Sequence, residues 1–439
     1  MTTVIHSGTI INEGQRFIGY LAFADGFITD IGQMPVPNHL LEISHCIDAT
    51  GCFVIPGVID THVHFRDGGD AASPKGNIAS ESRAAIAGGV TSFIDMPNTA
   101  PPTVSIDAWQ KKMEHAASAS AANYAFFLGA TNSNLDTLIN ADYSLIPGIK
   151  LFMGASTGNM LVDSDRMLND LFCRCKDHII AVHAEDQAII DANKAALIAK
   201  FGTDDLPVAL HPELRSRQAC LSCADKAVKL AKKYGSRLHI LHISTADELN
   251  LLDDGNIAHK QITAETCPHY LYFHDKYFKR LGAKIKCNPA IKGETDRNAL
   301  LNALITGKID TIATDHAPHL LADKEGNLFS AASGMPGIQF SLPLMMDLTL
   351  SHPHLTFERV VELMCHNPAS IFGIDRRGFL RIGYHADIAI VKREPHTISD
   401  SDVLSLCAWT PYAGFKIQHK VINTFVNGGK SPKPLNFNH

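Results

Sequence analysis

The stretch FVIPGVIDTHVHFRD, from Phe53 to Asp67, decides how the rest of the chain is read. A β-branched, apolar run ends in a polar cluster with two histidines one residue apart, which is how a buried strand delivers ligands to a pocket. Side chains at i and i+2 of a strand point to the same side. His62 and His64 therefore present two imidazoles together, as a metal site with nitrogen ligands requires, although two hydrogen-bonded core histidines would give the same pattern. Arg66 continues the alternation. The row His62, His64, Arg66 then combines two ligand-type groups with a fixed cation, and such a row asks for an anionic substrate.

From Val54 to about Pro368, apolar strands alternate with amphipathic helical stretches, the signature of repeated βα units around a parallel sheet. The strands are FVIPGVIDTHVHF, VTSFIDMPN, NYAFFLGA, IPGIKLFM, IIAVHAED, RLHILHIST, QITAETCPHYL and DTIATDHAPH. Helical stretches such as IASESRAAIAGG, RQACLSCADKAVKLAKKYG and ETDRNALLNALITG carry apolar residues at three-and-four spacing with glycine near the end. Eight such units close a (β/α)8 barrel, an α/β fold of the TIM type. Residues 1–55 read as short strands with turn signals between them, and strands return beyond residue 376 in GFLRIGYHADIAIVKRE and KVINTFVNGGK. Neither end has enough strands to bury a face alone, so the two are expected to form one small β-sandwich. The expected division is 1–55 plus 376–439 for that composite unit and 56–375 for the barrel. The glycine- and alanine-rich segment Leu321 to Gly337, after the eighth strand, reads as an active-site loop able to move.

A chain of 439 residues with 45% hydrophobic content can bury a large core. The net charge of -6, from 39 Lys+Arg against 45 Asp+Glu, gives no electrostatic reason to expect nucleic acid or an acidic membrane. Small molecules are the expected partners. The start has no basic region followed by an apolar one, and no run of about 18 apolar residues occurs, so a cytoplasmic setting is expected. Of the ten cysteines, the closest pairs are Cys173/Cys175 and Cys220/Cys223, the latter three apart on a predicted helix, and all read as reduced thiols.

In a (β/α)8 barrel the chemistry sits at the C-terminal ends of the strands. The first strand ends with His62, His64 and Arg66, and the second with Asp95 and Asn98. Lys150 stands in the fourth, His183 in the fifth, His242 in the sixth and Asp315 in the eighth. Each alone could be structural. Four histidines and one aspartate at converging strand ends, however, supply enough donors for two metal ions joined by a bridging anion. An ammonium cannot bind a metal, so Lys150 is either paired with an acid or, as a neutral buried amine, takes up carbon dioxide to become a bridging carbamate. Cys267 and His269 in TCPHY read as packing residues, and Glu185 as a candidate partner of His183.

In these residues the chain resembles the dihydroorotases of the amidohydrolase superfamily. DTHVHFRD (Asp60 to Asp67) and ATDHAPHLLADK (Ala313 to Lys324) match two family signatures, and DMPNT and KLFMG fit besides. The resemblance runs from about Ile55 to Gly337, and both flanking β segments are as the family has them. It implies that His62, His64 and Asp315 hold one zinc ion and His183 and His242 a second, bridged by carboxylated Lys150 and a hydroxide. It implies that Arg66, Asn98 and His319 grip a substrate carboxylate, that Asn288 lines the ring, and that Asp315 is the catalytic base and acid. The implied substrates are dihydroorotate and N-carbamoyl-L-aspartate, in pyrimidine synthesis, and the implied assembly is a homodimer. Two departures are NPAIK (Asn288 to Lys292), where many relatives have Asn-Pro-Pro-Leu-Arg, and Asp67 to Gly69, where many have an acidic residue and proline. Related hydantoinases, dihydropyrimidinases and allantoinases share the barrel, but their rings lack the exocyclic carboxylate that Arg66 and His319 suit. An inactive relative acting as a scaffold for a partner such as aspartate transcarbamoylase is the reading from another class, and such proteins commonly lose ligands.

Overall fold

The computed structural model describes residues 2–42, 44–68, 73–154 and 160–438; Gly69, noted above, lies outside them. Eight parallel strands form the barrel: Val58–Val63, Val90–Asp95, Asn123–Phe126 continued by Leu128–Gly129, Ile149–Phe152, Ile180–His183, Leu238–Ile240, Ile262–Thr266 and Thr311–Ile312. The third strand is interrupted at Phe127, so its first half pairs with the second strand and its second half with the fourth. Closure comes from the first and eighth units. Val63 bridges His316, the Thr314 amide donates to Asp60 Oδ1 at 3.1 Å, and the His64 amide donates to His316 O at 2.7 Å.

Helices cover the barrel because their apolar faces have nowhere else to go. Arg217–Tyr234 buries Ala219, Cys220, Cys223, Ala224, Ala227, Val228, Leu230 and Ala231, a three-and-four stripe, and ends on Gly235 in the left-handed region. Ser216 caps its start by accepting from the Ala219 amide.

The single strand expected from Phe53 to Phe65 is in fact two. Cys52–Pro56 pairs antiparallel with Ile388–Thr397 in the terminal sheet, and the barrel begins at Val58. Pro56 has no amide to give a ladder, and a Cβ on Gly57 would stand 2.1 Å from Thr91 Oγ1. The chain changes sheets where only glycine fits. The terminal sheet runs Lys416–Phe425, Ile388–Thr397, Cys52–Pro56, Thr2–Asn12, Gln15–Ala24, Phe27–Gln33, with Ser44–Asp48 also on Thr2–Asn12. These seven strands are one hydrogen-bonded sheet drawn from both chain ends, and Ile5, Leu21, Phe23 and Val54 from the N-terminal end share a core with Ile388 and Ile390 from the C-terminal end. No helix of the described residues is long and apolar enough to cross a membrane.

Candidate metal centre and substrate pocket

A cavity of about 420 Å³ opens at the C-terminal ends of the barrel strands. Every residue expected at the site lines it: His62, His64, Arg66, Asn98, Lys150, His183, His242, Asn288, Asp315 and His319. The alternation that placed Arg66 does not hold, since the first strand ends at Val63 and Arg66 has φ +64°. Arg66 reaches the cavity through a left-handed turn instead. His242 (φ +42°) and Asp315 (φ +47°) share this rare conformation, and such backbone strain in non-glycine residues collects where a site over-determines it.

His62 and His64 each direct Nε2 at Asp315 Oδ1, at 3.2 and 3.1 Å. The other ring nitrogens are already engaged: His62 Nδ1 with Glu265 Oε1 at 2.5 Å and His64 Nδ1 with Asn98 Oδ1 at 2.8 Å. With Nδ1 donating, both Nε2 lone pairs face a carboxylate oxygen, an arrangement that requires positive charge among the three atoms. The three side chains are buried and their ligand atoms lie within 4.8 Å of one another. His183 donates from Nε2 to Glu185 at 3.1 Å, which turns its Nδ1 towards His242 Nε2 at 2.8 Å. Lys150 lies among these groups with Nζ unpartnered and fully buried, and burial lowers its pKa to about 7. Among the described residues no acid pairs with it. The donor set of imidazoles, a carboxylate and a neutral-capable amine fits divalent cations.

Electrostatics agree with that set. Burial would raise the Asp315 carboxyl, but His62, His64 and His242 hold it far below the usual carboxylate range. Burial also opposes Glu265, which His62 and His239 bring down to about 2. His64 is pushed down to about 3, chiefly by burial, and so presents a neutral ring.

On the substrate side, Arg66 is partly buried, its Nη2 donates to His319 Nε2 at 3.2 Å, and its Nε is buried without a partner. Burial and the Arg66 charge lower His319 to about 3. The segment expected to be an active-site loop able to move supplies Leu328 to Gly334 to the cavity wall, where two buried lysines donate to its carbonyls. Lys286 donates to Ala331 O, and Lys324 to Ala332 O and Gly334 O at 2.7 Å each. Lys292 lies outside the cavity, donating to Ala290 O at 2.9 Å, and Cys267 and His269 do not line it either.

Sequence reasoning missed Glu265, His211, Arg215 and Lys286. A carboxylate inside the buried strand ITAET was the available signal for Glu265; the other three come from short elements and connections too brief to carry a periodic pattern. A second cavity, about 850 Å³, opens at the opposite ends of the strands beside Ile179, Leu238 and Thr263. Its cations are spent within the protein, Lys260 on Asp310 at 2.7 Å and Arg359 on Leu304 O at 2.8 Å.

The amidohydrolase family model matches residues 53–430. A dihydroorotase from Halobacterium salinarum is 34% identical over 91% of this chain and 92% of its own length. An L-hydantoinase from Paenarthrobacter aurescens is 32% identical over 88% of this chain and 86% of its own. Among solved structures, the L-hydantoinase (dihydropyrimidinase) from Arthrobacter aurescens superposes with a TM-score of 0.90 at 29% identity, covering 98% of this chain and 96% of that one. A strand-end cluster of histidines, lysine and aspartate on this barrel, together with these matches, makes the chain a member of the amidohydrolase family, in its cyclic-amidohydrolase group.

Proposed function

We propose that the chain interconverts (S)-dihydroorotate and N-carbamoyl-L-aspartate in pyrimidine biosynthesis. One observation carries this reading: a guanidinium whose buried Nε has no partner stands in the same cavity as the histidine and aspartate cluster. A partly buried cation with a free donor suits a ring that bears a carboxylate, and it is wasted on an uncharged one.

The residues present would hold two ions, which we take to be zinc: His62, His64 and Asp315 one, His183 and His242 the other, with carboxylated Lys150 between them. Bound there, the ions would supply Lewis acidity, lowering the pKa of a water and polarising the ring carbonyl. Arg66, Asn98 and His319 orient the substrate by its carboxylate, and Asn288 lines the ring. Asp315 takes the proton of the attacking water and returns it to the departing ring nitrogen, a general base turned general acid. The reverse sequence closes the ring. Ten free cysteines support a reducing, cytoplasmic setting, and the family resemblance supports a homodimer.

A second reading, a hydantoinase or allantoinase, is favoured by the likeness to the L-hydantoinase structure. A scaffold without activity is disfavoured by the full ligand set. Metal-replete protein assayed by absorbance on dihydroorotate, hydantoin and allantoin separates the three. Turnover of dihydroorotate is expected; turnover of uncharged rings alone selects the second reading, and neither metal nor turnover selects the scaffold.

A further inference from the structure

Among the described residues, four buried side-chain atoms without a hydrogen-bond partner belong to residues lining this one cavity: Arg66 Nε, Lys150 Nζ, Asn288 Oδ1 and His211 Nδ1. Buried polar atoms are nearly always paired, so a cluster of orphans around one cavity marks where a ligand completes them. A carboxylate and the ions account for Arg66 and Lys150. His211 has no role in either.

His211 opens the short helix His211–Leu214, in the excursion that follows the fifth strand. The His211 ring is 1% exposed, and burial, then the charges of Arg215, Lys286, Lys292 and Lys324, hold it neutral. A neutral imidazole has one donor and one acceptor, as does the Asn288 amide group in its simplest use. Neither can neutralise an anion. Both match an uncharged edge that offers N–H and C=O side by side.

We infer that His211 is a specificity-determining contact for the ureide edge of the substrate ring, acting with Asn288 in the cavity that Arg66 also lines. The inference rests on a cyclic ureide as substrate but does not need the carboxylate, because hydantoin and allantoin carry the same edge.

The test uses the metal-replete enzyme and three ligands: dihydroorotate, dihydrouracil (ureide without carboxylate) and cyclohexanecarboxylate (carboxylate on a six-membered ring without ureide). His211→Phe keeps an aromatic ring, somewhat larger, and removes hydrogen bonding. It is expected to raise KM for dihydroorotate and Ki for dihydrouracil about tenfold, the loss of one neutral hydrogen bond, with kcat, metal content and Ki for cyclohexanecarboxylate held. His211→Gln should recover most of the loss. Equal weakening of all three ligands, or an unchanged Ki for dihydrouracil, overturns the inference. Should His211→Phe fail to fold, the unmodified enzyme still decides: saturating dihydrouracil should shift the His211 ring nitrogen resonances while cyclohexanecarboxylate leaves them in place, and no shift with dihydrouracil overturns it. If the enzyme opens hydantoin but not dihydroorotate, the carboxylate reading fails and the same comparison with hydantoin still tests His211.

Discussion

Glu265 Oε1 lies 2.5 Å from His62 Nδ1, with both side chains buried, and its second oxygen faces His239 Nε2 at 3.4 Å. The carboxylate fixes which nitrogen of His62 carries the proton and which one faces Asp315. A carboxylate in this position both orients a ligand and raises its basicity, and its loss typically costs 10- to 100-fold in metal affinity. Glu265→Gln is therefore expected to weaken metal binding by about that factor while the fold persists. Metal titration with a chelator of known affinity checks it, and unchanged affinity would remove Glu265 from the site.

Arg66 is assigned to the substrate and not to the ions, so the two readouts should separate. The charge-assisted contact is worth roughly 1.5–3 kcal/mol, or about 10- to 150-fold in binding. Arg66→Ala should raise KM for dihydroorotate by that factor with metal content unchanged. Loss of metal in this variant would contradict the assignment, and a KM for hydantoin that rises equally would show that Arg66 does not read the carboxylate.

The strand-end residues were legible because an alternating period and a fixed barrel geometry turn sequence position into direction. Lys150, His183, His242 and Asp315 are each the polar residue of an otherwise apolar strand or stand just beyond its end, and all line one cavity. Arg66 was found for an incomplete reason, since a left-handed φ at a non-glycine residue leaves no mark in the sequence. The split at Pro56–Gly57 was hidden in an unbroken apolar run, because two sheets share it end to end. His211 was invisible: its meaning comes from four cations contributed by three separate segments.

Asp95, at the end of the second strand, proves to be a buried ion-pair member. Lys112 Nζ donates to its Oδ2 at 2.5 Å, both side chains are fully buried, and the Phe65 amide donates to its Oδ1 at 2.8 Å. Removing one partner leaves an uncompensated buried charge, at a cost of about 3–5 kcal/mol. Lys112→Met should lower stability by that amount and loosen the turn that holds Arg66. Denaturant unfolding of the metal-replete protein measures it. Adding Asp95→Asn should recover most of the loss, and an additive double variant would show that the pair is not coupled.

Lys324 anchors the cavity wall through Ala332 O and Gly334 O, and a third carbonyl, Lys286 O, accepts from it at 3.1 Å. Burial lowers its pKa to about 7, opposed by Cys287 and Asp323 and assisted by Lys286 and Arg66. The unfolded chain, with an ordinary lysine near 10.4, binds more protons than the folded one above pH 7, so stability rises with pH across that interval. Between pH 6 and pH 8 the rise from this one group is about 1 kcal/mol. Lys286, lowered to about 8 by burial and Arg215, adds a smaller rise of the same sign. Lys324→Met removes the titration, so the stability difference between wild type and variant should shift by about 1 kcal/mol in favour of the wild type from pH 6 to pH 8. Denaturant midpoints at the two pH values, with metal saturating throughout, check the sign: a difference that stays constant would mean that Lys324 keeps its proton in the fold, held by its three carbonyl acceptors.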